Sequence, residues 1–357
     1  MHTDLFAANS FCRNNWESYY HMRLLNVSWN AAAVLMTVAI LSGCANGGAQ
    51  VASFSTLPRG NGDWVARNPG NRPTGGLILG GIANLNTDHS KSWMASDAAN
   101  NQLLYVSDAG RNDVYVYSYP KGKLVGTLTG FNFPEGECID NPGNIWIVNT
   151  GTSQIIEYAH AGTTPIATLD DTGQSPVGCS INKRNGALAV TNLQTASGGP
   201  GSISIYKKAQ GSPANYSDPS FSEMFLLDYD DKGNIFVDGT NTGSTFQYAE
   251  LPRGSKTFKD ITLNQNISYP GGVQFTRGYI ALGDQLNAVI YHVSGSTITG
   301  STKLNAARLI QFCIRRNDVT NPDLGSFDIG LFKYPSGQFV KYIDQYLSEP
   351  VAAVVSP

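Results

Sequence analysis

Residues 134–140 read Pro-Glu-Gly-Glu-Cys-Ile-Asp, which places Glu135, Glu137 and Asp140 on one short run beside the thiol of Cys138. Carboxylates this close could hold a hard divalent cation, provided that other runs supply the rest of the six or more oxygens that Ca²⁺ takes. Comparable runs recur at Pro-Val-Gly-Cys-Ser-Ile-Asn (176–182), Met-Phe-Leu-Leu-Asp-Tyr (224–229) and Pro-Gly-Gly-Val-Gln-Phe (270–275). Aligned, they set Val177, Phe225 and Gly271 opposite Glu135, and Cys179, Leu227 and Val273 opposite Glu137. No converging ring of carboxylates results. The expectation is therefore no cofactor and no metal, with a Ca²⁺ site built from Glu135, Glu137 and Asp228 as the alternative. Acid–base or nucleophilic chemistry has less to draw on: His89, His160 and His292 fall off these runs, and no Gly-X-Ser-X-Gly elbow occurs. Cys138 and Cys179 sit one position apart in the alignment, which would turn their side chains to opposite strand faces, and disulfide geometry is strict. They are expected either as a disulfide or as two buried thiols, and Cys313 has no evident partner.

The runs belong to a larger repeat. Residues 103–122 and 145–162 share one pattern, an alternating apolar strand, a turn with Asp or Asn and Gly, and a second strand ending on Tyr. Alternation with period two marks half-buried strands. The second strand returns with an aromatic anchor at Tyr117, Tyr158, Tyr206, Tyr248, Tyr291 and Phe332, spaced 41 to 48 residues apart. That spacing suits one four-stranded propeller blade. Six anchors predict an all-β, six-bladed β-propeller with four-stranded antiparallel blades over residues 91–357. The sixth copy, Asp318–Asp328, has lost its alternation and predicts an irregular blade. The anchors read as inter-blade core, and the polar column at the turns, Asp108, Asn149, Asn192, Asp238 and Asp284, reads as turn capping. Segments 91–102 and 349–357 both resemble the first strand of a blade, so the chain ends are expected to share one blade, one inner and the other at an edge. Two connections in the third repeat, 193–202 and 209–223, stand out by length, and Tyr216 and Phe221 there are candidates for a partner-binding loop.

Composition narrows the partners. With 14% charged residues and a formal net charge of −3, and with basic pairs only at Lys207-Lys208 and Arg315-Arg316, there is no cationic stripe to neutralise nucleic acid. Residues 31–41 form an apolar run short for a membrane span but right for a secretory signal core, and Leu41-Ser42-Gly43-Cys44 follows it. Residues 1–21 carry Asp4, Glu17 and several aromatics, a poor leader that also contains Cys12, so Met22 reads as the start. Residues 44–90 are rich in Gly, Asn and Pro without a sustained period and read as a flexible tether.

Leu41-Ser-Gly-Cys44 resembles a bacterial lipobox, which implies a signal peptide over 1–43, cleavage before Cys44 and a diacylglycerol on its sulfur. Ala45 in the following position implies outer-membrane or cell-surface sorting. The hairpin pattern with Pro-X-Gly starts resembles NHL-type and TolB-like six-bladed propellers, among them secreted bacterial lipoproteins. The resemblance implies a monomeric scaffold in the cell envelope, touching the membrane through its N-terminal lipid and binding a protein, peptide or glycan. The alternative it implies is a metal-dependent hydrolase like the gluconolactonase propellers, which hold their cation in the central channel.

Overall fold

The computed structural model describes residues 91–357. Six antiparallel sheets follow one another along the chain. Blade 2 is typical: Pro134–Ile139, Ile145–Asn149, Gln154–Tyr158 and Pro165–Asp170 run from inside to outside. The first strands of successive blades contact one another in a closed circuit, from Pro350–Val355 through Pro134–Ile139, Gln174–Ile181, Glu223–Tyr229, Pro270–Thr276 and Cys313–Arg315 back to Pro350–Val355. The chain is thus an all-β, six-bladed propeller. Among the described residues, no helix is long and apolar enough to cross a membrane.

Closure follows from the chain ends. Pro350–Val355 pairs with Leu103–Asp108 as the innermost strand of blade 1, while Trp93–Met94 pairs with Lys123–Leu128 at its outer edge. Ala352, Ala353, Val354 and Val355 are all buried, so the C-terminal strand wins the inner position by its small and apolar residues. The outer edge of blade 1 is thus a strand of only two residues, a short edge of the kind that resists pairing with another chain.

Blade 6 departs from expectation. Asp318–Asp323 and Asp328–Lys333 pair without a register shift, so this hairpin is regular. The short member is the inner strand, Cys313–Arg315, which pairs only with Asp318–Thr320. Pro322 lies beyond its reach and removes no ladder bond to it.

The anchor column holds in four blades and slips in two. Tyr117, Tyr158, Tyr206 and Phe332 pair with Leu104, Ile145, Leu188 and Val319, each four positions before Asp108, Asn149, Asn192 and Asp323. In blade 5 that position belongs to Val293, and Tyr291 stands two residues early and half-buried. In blade 4, Gly239 lies opposite Met224 as Asn149 lies opposite Pro134, so Asp238 is one residue out of the polar column. Tyr248 pairs with Asp238 and packs against Ile280 and Leu282 of blade 5, whereas Tyr158 and Tyr206 pack against the preceding blade. A one-residue slip sends a side chain to the other face, and alternation alone does not reveal it.

Candidate functional site

The turn Asp and Asn side chains do more than cap turns. Asp108 accepts from the backbone of Arg111 in its own turn at 3.0 Å, but also from Ser348 at 2.6 Å and Glu349 at 3.0 Å, just ahead of the inner strand. Asp284 does the same with Asn287 and Ser268, and Asp323 with Gly325, Ala307 and Arg308. Asn149 accepts from Asn132 at 2.7 Å. Burial raises the carboxyls of Asp108 and Asp323 against the pull of these backbone donors. Asp108, Asn149 and Asp284 therefore fix the residues just ahead of an inner strand, and Asp323 holds the longer approach to Cys313–Arg315.

Neighbouring blades are then joined seam by seam, mostly through their inner strands. Between blades 1 and 2, the Ser107 hydroxyl donates to Glu137 Oε1 at 2.8 Å. Cys138 and Cys179 are disulfide-bonded between blades 2 and 3, with Cα atoms 5.7 Å apart. Ser180 donates to Asp228 Oδ1 between blades 3 and 4, and the amide of Phe275 donates to Asp228 Oδ2 at 2.7 Å between blades 4 and 5. Between blades 5 and 6 the Gln274 amide pairs with both the N–H and the C=O of Ile314, at 2.7 and 2.9 Å, as a neighbouring peptide would. Arg315 donates to the Val355 carbonyl at 2.8 Å between blades 6 and 1. Gln311 reaches further, pairing with the N–H and C=O of Glu137 while its backbone bridges to Ala352. The amide of Gln carries a donor and an acceptor in the geometry of a peptide bond, which is why it can complete these seams.

This arrangement changes the reading of several residues. Glu135 and Glu137 are 1% and 0% exposed, so both are buried within the ring rather than open to solvent. The Thr150 hydroxyl donates to Glu135 at 2.9 Å, Glu137 serves the seam to blade 1, and Asp228 serves the seams on either side of blade 4. The structure does not bring the three together, and among the described residues no group of three or more His, Cys, Asp or Glu gathers in metal-binding geometry. Burial pushes Glu137 up to about 8 and Asp228 to about 6, each opposed by its hydrogen bonds, and pushes Asp238 up to about 7. The offset between Cys138 and Cys179, read from sequence as turning them apart, is what joins them. Neighbouring blades confront each other through opposite faces of their strands, so an odd offset brings two side chains into one seam.

One end of the channel is filled. Ala109, Val177, Leu193, Phe225, Leu226, Ile310, Leu324 and Val351 form a buried apolar cluster, with Phe133 and Tyr269 packed on it. All six blades contribute. The expected loop aromatics are also absorbed: Phe221 is 1% exposed and lies in a core cluster with Met224 and Val237, and Tyr216 packs on that cluster. The long 209–223 connection contains the outer strand of blade 3, Ala214–Tyr216, and Leu193 is buried in the other. His160 bonds to Ser356 at 2.8 Å, and His292 packs between Tyr279 and Tyr334. Cys44, Cys12 and His89 lie outside the described residues.

Polar chemistry stays accessible at the rim of blade 4. The nine residues between Asp260 and Pro270 leave the outer strand and form, with 244–248, a cleft of about 450 Å³. Its lining includes Thr245, Gln247, Asp260, Thr262, Gln265 and Asn266, together with Phe246, Tyr248, Ile261, Leu263 and Ile267. Asp260 Oδ1 accepts from Gln247 Nε2 at 3.0 Å and from Ser220 at 2.9 Å. Asn264 ties the connection to blade 5 through the Ile298 amide at 2.9 Å. The Tyr248 hydroxyl is buried without a partner. Sequence reading missed this cleft because no run of residues in it repeats.

No known protein family matches the sequence, and no curated protein does. Solved structures do match in fold. A chain of the nidogen/laminin complex aligns with a TM-score of 0.61 at 9% identity, over 72% of this chain and 99% of that one. A protein of unknown function from Bacteroides caccae aligns at 0.57 and 11% identity over 72% of this chain and 99% of its own. A functionally unknown protein from Desulfotomaculum acetoxidans DSM 771 aligns at 0.52 and 8% identity over 71% and 98%. At these identities the likeness is one of fold, the six-bladed β-propeller.

Proposed function

We propose that the chain is a binding module of the cell envelope, a propeller of the NHL or TolB-like kind held to the membrane by a lipid on Cys44, with 44–90 as its tether. The observation that carries the binding reading is how the inner strands use their polar groups: Glu137 and Asp228 are engaged by neighbouring blades and Glu135 by the Thr150 turn of its own blade. An apolar cluster to which all six blades contribute packs at one end of the ring beside them. Accessible recognition chemistry is left to the loops and the rim. The nidogen/laminin chain of similar fold belongs to a complex of two proteins, which is in keeping with a propeller working through its surface.

Two measurements test this. Expressed in a bacterium, the full chain should incorporate labelled fatty acid and partition into detergent, and Cys44→Ala should lose both; equal labelling of the variant overturns the anchor. Calorimetric titration with Ca²⁺, Mg²⁺, Mn²⁺ and Zn²⁺ should give no micromolar binding. Tight binding that disappears in Glu135→Gln, together with lactone hydrolysis, would replace the scaffold with the gluconolactonase-like hydrolase.

A further inference from the structure

The blade 4 cleft has a lining with a definite chemical bias. It offers side-chain amides, hydroxyls and the Asp260 carboxylate, and no Lys, Arg or His stands among the lining residues. A phosphate or another anion would meet no countercharge there. A lipid chain would face mostly polar walls. Phe246 is a half-buried ring in that lining, whereas Tyr248 is 2% exposed and packs inward against Phe236, Ile280 and Leu282. Planar amides and carboxylates can engage neighbouring hydroxyls with two prongs, and an aromatic face packs against the C–H face of a sugar ring.

The walls are held before any ligand arrives. Asp260 is oriented by Gln247 and Ser220, and the connection is pinned by Asn264 to blade 5. Its volume of about 450 Å³ falls in the ~300–1,000 Å³ range of small-ligand sites. The geometry points to this cleft as a binding site for a short neutral saccharide. The assignment rests on the binding-module reading above and names the ligand class of that module.

The test uses the full chain in detergent, titrated with maltotriose, cellotriose and chitotriose, with sialyllactose as an anionic arm and trialanine as a peptide arm. At least one neutral trisaccharide should bind, about tenfold or more tighter than sialyllactose, and should protect 244–248 and 260–268 from hydrogen exchange. Asp260→Ala and Asn266→Ala should each weaken it about tenfold, the loss expected for one good polar contact, without moving the melting temperature. Failure of all three neutral sugars to bind, protection confined to other segments, or unchanged affinity in both variants overturns the assignment. Trialanine protecting the cleft while the sugars do not would overturn the saccharide and leave the binding module standing. Loss of the anchor in the fatty-acid experiment would strike the envelope reading and leave the sugar site untouched.

Discussion

Around the channel, Glu137, Asp228, Gln274 and Gln311 spend their oxygens and amides on neighbouring blades; at the rim of blade 4, Asp260, Gln247, Gln265 and Asn266 turn the same functional groups toward a cleft. The chemistry of the groups is alike and their surroundings differ. Inside, an unpaired carboxylate or amide costs its full desolvation, which favours partners supplied by the adjacent blades. Outside, water satisfies the groups until a ligand replaces it. A carboxylate in this fold is thus a fastener or a receptor according to its depth.

The harshest way to break the contrast is to remove a whole inner strand. Deleting residues 350–357 takes away the partner of Leu103–Asp108, the Val355 carbonyl held by Arg315, and five buried apolar residues of the closing strand. The variant should show no cooperative native melt in calorimetry. A normal transition would mean that the rim, not the inner ring, holds the disc together.

Breaking one covalent seam is milder. The disulfide closes a separation of 41 residues, and loop-closure entropy gives it a stabilisation of about 4 kcal/mol. Cys138→Ala with Cys179→Ala should lower the melting temperature well below that of the oxidised protein. Equal melting with and without the pair would show that the five non-covalent seams suffice.

The buried acids make the ring sensitive to pH in a defined direction. Glu137 rises from its ordinary 4.5 to about 8, while Asp228 and Asp238 rise from 3.8 to about 6 and about 7. Between those limits the folded chain binds more protons than the unfolded one. Their contribution is complete below about pH 4 and is lost as pH rises through 6 to 8, by as much as a few kcal/mol for Glu137 alone. Melting should therefore fall from pH 5 to pH 8.5. Glu137→Gln, which keeps the shape of the neutral acid, should melt higher than wild type at pH 8.5 and flatten the slope; a steeper slope would contradict the burial argument.

At the rim the expected effect is smallest. Asp260→Ala and Gln265→Ala remove exposed side chains, and unfolding stability should stay within ~0.5 kcal/mol of wild type by denaturant titration. A loss as large as that from a broken seam would show that the cleft residues fasten the blade rather than face a ligand.

Much of this architecture is legible in the residues themselves. Tyr117, Tyr158, Tyr206 and Phe332 mark blades by their spacing, and the likeness of 91–102 and 349–357 to a first strand foretells a shared closing blade. Tyr248 and Asp238 show the limit: each recurs at the right interval, yet each faces blade 5 because blade 4 is shifted in register. Alternation specifies that a strand has two faces, not which neighbour each face meets.

Composition, period and turn residues by themselves determined a repeated antiparallel hairpin, its count, and the segments competing to close it, because strand alternation and turn chemistry are local properties of the chain. Which side chains meet across a seam was decided only by the tertiary structure. Cys138 joins Cys179, Ser107 meets Glu137 and Gln274 completes Ile314 because the ring brings opposite faces of consecutive strands together, 30 to 41 residues apart in sequence. The cleft at Asp260 arises likewise from a connection that folds back over its own blade, and no local pattern encodes the space between two segments.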